Sequence, residues 1–405
     1  MNKIQSLTQA DIMSRLGRLH GNLFYLFIIS LVAGSYWSMI NPVYQPFMLS
    51  LGISISTMGL LEALRGRIGL LSTLSQLLGG VLADKYGRRR LIIVCSIVTL
   101  LALIFHLLAA YLKNVQLLII GSLILALAWI GTPAWNAMTM ESTDRCRRGF
   151  ALSLVWFAGI APSIVLSPVG GWLVENYGYR LVFFIGIFME TICLVLILLF
   201  LRESLERSTI SSYRELLTNL IPKSKALKRL YLIVALDSFA WCIGTSLFYG
   251  CLVEWFKFRE IELGLLSSVF TLSWTIAQIP AGKIVDKYGS KIAMIFSELM
   301  GISTLALWLI ARDFTMFTVS EVLLGIVPAL WIPALNTYTA EKAPKDKVSG
   351  TLGGVSAFRG LVSFPAPYIG GYLFDLAGFH LPVTVSLIGV VITLLAIIFL
   401  LESQP

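Results

Sequence analysis

The residues able to do chemistry in this chain are the few ionisable side chains set inside long apolar runs. Asp237 shares one helical face with Trp241, Thr245 and Tyr249, and Arg359 shares another with Ser356, Ser363 and Pro367. Glu62 and Arg65 stand one turn apart and continue through Gly69, Thr73 and Gln76 as a polar stripe. A charge near mid-bilayer costs about 2.5–3.5 kcal/mol on insertion scales, so such residues are candidates for holding or moving a charge. Asp237 and Arg359 lie at similar depth, which predicts an ion pair across a cavity, with Asp237 and then Glu62 as the carboxyls that exchange a proton. The alternatives are that Asp237 is hydrated at the interface while Arg359 bonds to backbone carbonyls. Glu62 and Arg65 could likewise snorkel from their end of the helix, as could Arg67.

Other chemistry has little to work with. Walker A, His-Glu-x-x-His and Gly-x-Ser-x-Gly patterns are missing from the sequence. The five cysteines, Cys95, Cys146, Cys193, Cys242 and Cys251, and the three histidines, His20, His106 and His380, are dispersed. Neither an enzyme nor a metal or cofactor is expected. With 57% hydrophobic and only 13% charged residues, the chain lacks the surface charge of a water-soluble protein. The net charge of +9 sits in short turns between apolar runs, which argues for topology signals and against nucleic acid.

Those turns hold a repeat. Gly80-Val81-Leu82-Ala83-Asp84-Lys85-Tyr86-Gly87-Arg88-Arg89-Arg90 returns as Gly282-Lys283-Ile284-Val285-Asp286-Lys287-Tyr288-Gly289-Ser290-Lys291. Thr73 and Gln76 return as Thr275 and Gln278, Pro133 and Asn136 as Pro333 and Asn336, Glu141 as Glu341, and Gly170-Gly171 as Gly370-Gly371. The chain is therefore two homologous halves. The repeated motif resembles the signature loop of the major facilitator superfamily, a cytoplasmic turn between the second and third helices of each six-helix half. The second copy carries Ser290 where the family has arginine. The stretch Gly159-Ile160-Ala161-Pro162 with Ser167-Pro168-Val169-Gly170-Gly171 resembles the Gly-Pro-rich motif of the exporter branch.

The elements that must position these residues are twelve apolar runs of about 20 to 27 residues, each long enough to cross ~30 Å of hydrocarbon as a helix. They are 22–48, 57–83, 91–112, 116–140, 150–174, 180–201, 230–252, 262–283, 291–311, 316–340, 350–374 and 382–401. The fold class expected is an all-α membrane protein of two pseudo-symmetric six-helix bundles, residues 1–202 and 230–405. A linker at 203–229 carries an interfacial helix, and residues 1–20 form an amphipathic segment. Most of the 31 Lys and Arg lie in one alternate set of loops and the termini. The other set carries only Lys113, Arg180, Lys257, Arg259 and Arg312, which places both termini in the cytoplasm of a multi-pass cell-membrane protein.

The resemblance implies which helices line a central cavity. On the first and second helices they offer Trp37, Asn41, Gln45, Arg65 and Gln76; on the fourth and fifth, Trp129, Asn136 and Trp156. From the second half come Trp241, Trp274, Gln278, Trp331 and Arg359. Walls this rich in aromatics and poor in charge suit a small amphipathic or apolar organic substrate. Glu190, Glu298 and Glu321 are read as structural or protonated groups. For gating, the resemblance implies that Asp84 meets the start of the eleventh helix near Gly350 and that Arg88 reaches Glu141. By symmetry Asp286 meets the fifth helix near Gly149 and Lys291 reaches Glu341, all holding when the cavity opens outward and loosening when it opens inward. The expected protein is a monomeric secondary transporter, driven by protons and working in efflux. Uptake, facilitated diffusion, and a receptor or scaffold that has kept the fold are the alternatives.

Overall fold

The structure, a computed structural model, describes residues 21–66, 68–144, 147–205, 222, 224–344 and 348–402. The regular structure among them is helical and follows the twelve apolar runs. In the first half, α1 spans Asn22–Ser50, and α2 comes in two pieces, Ile55–Arg65 and Leu70–Tyr86. There follow α3 at Arg88–Leu112, α4 at Val115–Glu141, α5 at Arg148–Tyr177 and α6 at Tyr179–Phe200. In the second half, α7 spans Lys225–Phe256, α8 Glu260–Tyr288, α9 Ser290–Ile310 and α10 Phe314–Lys342. The piece pair Val348–Ser363 and Ala366–Ala377 makes α11, and His380–Leu400 makes α12.

Helix α7 starts inside the stretch 203–229 read as linker, because Ser224 caps it, accepting from Leu227 N at 3.2 Å. The expected amphipathic segment at 1–20, the interfacial helix of the linker, and Arg67 lie outside the described residues.

The repeated motif folds the same way twice. Gly87 (φ 100°) and Gly289 (φ 82°) each form a one-residue turn in a backbone region that disfavours side chains, so α3 and α9 begin at once. Several spans are interrupted near their middles. Besides the two pieces of α2 and α11, α5 breaks at Ala161-Pro162, α4 tightens at Trp129–Gly131, and α7 is irregular at Ser246-Leu247. Irregular backbone inside a bilayer is tolerated where protein or a cavity satisfies it.

The packing is asymmetric along the membrane normal. At the end bearing Arg88 and Lys291, hereafter the basic end, each half has its own apolar core: Leu91, Ala134 and Val155 in one, Val234, Leu330 and Val355 in the other. At the opposite end a single core runs through both halves and includes Phe47, Met58, Phe248, Leu263 and Trp308. The halves thus share one apolar core at the end away from Arg88 and keep separate cores at the basic end.

Candidate functional site: a cavity between two halves closed at one end

The closure is built twice, once on each side of the pseudo-twofold. Gly170 and Gly171 sit on α5 with backbones on either flank: a Cβ on Gly170 would stand 2.5 Å from Met39 Cα of α1, and one on Gly171 2.6 Å from Ile261 Cα of α8. Two hundred residues on, Gly370 packs on Ile243 of α7, and a Cβ on Gly371 would stand 2.8 Å from Ser56 Cα of α2. In each pair one glycine seats the helix in its own half and the next brings the other half to backbone contact, a separation only glycine allows.

Carboxylates then cap the helix ends across the closure. Glu175 Oε1 accepts from Ile261 N at 3.0 Å, and Asp375 Oδ2 accepts from Ser56 N at 3.2 Å. Each acceptor meets an amide in the first turn of a helix of the other half, where unpaired N–H groups and the dipole favour an anion. Tyr179 adds an O–H···O bond to Glu260 at 2.8 Å. These carboxylates were missed by sequence reasoning, although Glu175 and Asp375 obey the same spacing as the glycine pairs.

Gln45, expected on the cavity wall, belongs to this closure instead. Its Nε2 donates to Ser246 O at 2.7 Å and its Oε1 accepts from Gly250 N at 2.9 Å. The break in α7 leaves that carbonyl and amide without helical partners, and one carboxamide from α1 satisfies both. Two further wall residues are corrected. Trp241 turns into the second bundle, where a Cβ on Gly301 of α9 would meet its ring at 2.5 Å. Trp331 is 5% exposed inside the second half's own core.

The expected ion pair between Asp237 and Arg359 is not formed. Arg359 Nε donates to Ser238 Oγ at 2.5 Å, while Asp237, 2% exposed, points toward Glu298 of α9. Adjacent residues on a helix project about 100° apart, so the guanidinium that reaches Ser238 comes from a different side than the one Asp237 faces. Glu62 and Arg65 do pair with each other. Arg65 also lies over the Tyr44 ring at 3.9 Å, and Tyr44 Oη meets His106 Nε2 at 2.6 Å and Ser122 Oγ at 2.8 Å, a network wholly inside the first half.

Of the remaining residues expected on the wall, Asn41, Trp156 and Gln278 are exposed, and Trp37, Gln76, Trp129, Asn136, Trp274 and Arg359 are half-buried. Asn136 Oδ1 has no hydrogen-bond partner. That oxygen is itself buried, so it faces packed protein and not open space.

At the basic end, Arg88 Nη1 reaches Asp84 Oδ1 at 2.5 Å and Nη2 reaches Glu141 Oε1 at 3.3 Å. Glu203, at the start of the linker, accepts from Arg88 N at 2.9 Å and Arg89 N at 3.2 Å, capping α3. In the second half Lys291 departs from this pattern, because its Nζ donates to the carbonyls of Ile398 (2.8 Å) and Leu401 (2.7 Å) at the end of α12. Asp286 is exposed. The contact of Arg88 with Glu141 is formed although the halves are apart at this end, against the expected loosening, because both partners belong to the first half; the expected meetings of Asp84 with α11 and Asp286 with α5 concern a state closed at this end.

A family model described as Major Facilitator Superfamily matches residues 26–256 and 230–405. The Multidrug resistance protein MdtG of Enterobacter lignolyticus (strain SCF1) is 24% identical over 368 residues, covering 89% of this chain and 87% of that protein. The Multidrug resistance protein 2 of Bacillus subtilis (strain 168) is 24% identical over 358 residues, covering 85% and 86%. Among solved structures, the nucleoside transporter NupG superposes with a TM-score of 0.73 at 14% identity over 93% of this chain and 98% of its own. A D-xylose-proton symporter gives 0.72 at 15%, over 94% and 97%.

Proposed function

The chain belongs to the Major Facilitator Superfamily, and as a secondary transporter of that family we propose that it exports a small amphipathic or apolar organic molecule in exchange for protons. The observation that carries this reading is the single apolar core joining the halves at one end while each half keeps a separate core at the other. Such a bundle holds a cavity open to one side, as alternating access requires. The excess of Lys and Arg in the loops of the basic end supports a cytoplasmic location for that end, hence an inward-facing state.

The export direction is supported by the names of the multidrug-resistance relatives and by the Gly-Pro-rich α5. The substrate class is supported by mid-span walls of Trp37, Trp129, Trp156 and Trp274 with few charges, since aromatic faces bind apolar bodies while Asn41 and Gln278 orient a polar group. Asp237 is the proposed proton-binding group.

The test is reconstitution. Proteoliposomes with an acidic lumen and the basic end outside are presented with a panel of fluorescent amphipathic dyes. The reading expects dye accumulation that collapses with a protonophore and is absent from protein-free vesicles. Equal dye content with and without the pH gradient would remove proton coupling, and none beyond protein-free vesicles would remove the substrate class.

A further inference from the structure

The two halves treat a carboxyl in their interiors differently. In the first half Glu190 of α6, 5% exposed, is bonded on both oxygens: Tyr36 of α1 donates to Oε2 at 2.8 Å and Ser96 of α3 donates to Oε1. The 202-residue spacing of the signature loops carries Ser96 of α3 onto Glu298 of α9. Where the first half supplies a hydroxyl donor, the second supplies another carboxyl.

Asp237 and Glu298 are 2% and 0% exposed and face each other between α7 and α9. Asp237 Oδ2 and both oxygens of Glu298 have no hydrogen-bond donor. The other groups that bear on them are the Arg359 guanidinium from α11, held by Ser238, and the Cys242 thiol further along α7. Helix α12 packs on α7 at Gly389–Ala240 and Ser386–Gly244 and has no charged residue between His380 and its far end. From α10, Glu321 acts on Tyr249 nearer the closed end, and Tyr338 and Lys342 lie at the basic end.

We propose that Asp237 and Glu298 form a proton site inside the second bundle, away from the substrate walls, in which one carboxyl as the acid donates to the other as carboxylate. Two adjacent carboxylates with Asp237 Oδ2 and both Glu298 oxygens lacking donors repel in a low dielectric, and one proton between them removes the repulsion and supplies a missing donor. When that proton leaves to water, the pair gains one negative charge, and Arg359 is the cation near enough to answer it by leaving Ser238 for Asp237. That exchange alters the contact of α11 with α7, and α11 carries Gly371 and Asp375 of the closure. This deepens the proton-exchange reading above and rests on it for its role in transport, but the site itself is testable without transport.

The experiment is infrared difference spectroscopy of the full chain in lipid, following the protonated-carboxyl band against pH, for the parent, Asp237→Asn, Glu298→Gln and Glu298→Ser. Glu298→Ser places at 298 the residue type that its counterpart Ser96 has, and supplies a folded alternative if the amide fails to fold. The buried carboxyls Glu190 and Glu321 are common to all the proteins, so the site is read from the parent-minus-variant difference: it should contain one protonated-carboxyl band that is lost as pH rises, and either Glu298 variant should remove it. An unchanged titration in a folded Glu298 variant overturns the site, as does a band that responds to sodium against potassium at constant pH, which would make it a sodium site. If the band titrates as expected but vesicles never accumulate dye, the site stands and the transport reading fails. If dye accumulation and the band both persist in Glu298→Ser, the transport reading stands and the site fails.

Discussion

Glu175, on the last turn of α5, accepts a hydrogen bond from the backbone N–H of Ile261 in the first turn of α8 at 3.0 Å, so the closed end is held by a carboxylate of one half on a helix terminus of the other. Asp375 does the same to Ser56 at 3.2 Å. A charge at a helix N-terminus contributes about 0.3–1 kcal/mol. The double variant Glu175→Gln with Asp375→Asn should therefore weaken the closure by roughly 1 kcal/mol, a shift of about fivefold toward opening at this end. Solvent accessibility of a cysteine placed at Ser56 in both backgrounds measures it, and equal labelling rates would argue that the caps are incidental.

Glycine at the closure is a geometric requirement. A Cβ at Gly371 would lie 2.6 Å from Ile55 O and 2.8 Å from Ser56 Cα, both backbone atoms that cannot move without the helix. Gly371→Ala is expected to separate α11 from α2 and lower the unfolding temperature, whereas Gly282→Ala, with nothing within 4 Å of the added carbon, should be neutral. Thermal unfolding of the two purified variants separates a packing constraint from a general intolerance of α11 and α8 to substitution.

Open space at the basic end carries its own expectation. Gly80 and Gly282, the first residues of the signature loops, have no atom within 4 Å of a built Cβ. If these loops come together in the other state, a bulky side chain is harmless here and obstructive there. Gly80→Leu should leave stability unchanged while slowing dye exchange severalfold, and unimpaired exchange would mean that the Gly80 face never becomes a contact.

How much of this was legible in the sequence follows from what periodicity can encode. The twelve spans, the repeat and the turns at Gly87 and Gly289 were legible, because apolar run length and a recurring Gly-x-x-x-Asp pattern determine them locally. The glycine pairs were legible as part of the repeat, and the structure gives their partners. Gln45, Trp241 and Trp331 were misplaced for one reason: a helix in a bundle has several buried directions, and sequence does not say which looks into the cavity and which into a neighbour. Asp237 shows the same limit. Its depth matched that of Arg359, but its direction was toward Glu298, and direction is set by tertiary packing.

Gln45 illustrates a satisfied break. Gln45→Leu removes the donor to Ser246 O and the acceptor for Gly250 N while keeping apolar bulk, leaving two buried backbone groups unpaired. Each unsatisfied group costs about 1–3 kcal/mol, so the variant should be visibly less heat-stable. Gln45→Glu retains the acceptor for Gly250 and loses the donor, and should fall between. A ranking with Gln45→Leu as stable as the parent would show that water already serves the break.

For coupling, Asp237→Asn keeps shape and hydrogen bonding while removing the exchangeable proton. Dye exchange down its own gradient should continue, and accumulation against it should be lost. Full accumulation in this variant would move the coupling group elsewhere, with Glu62, paired to Arg65, next to be replaced.

The central claim, that this chain transports by closing one end as it opens the other, is tested most directly by paired distance measurements in the same proteoliposomes. One pair of spin labels, at Tyr177→Cys and Lys257→Cys, reads the end closed here, and another, at Arg90→Cys and Lys287→Cys, reads the basic end. The account predicts that a change of pH or addition of a transported dye lengthens the first distance and shortens the second in the same proportion of molecules. Distances that stay fixed, or that lengthen at both ends together, would contradict it.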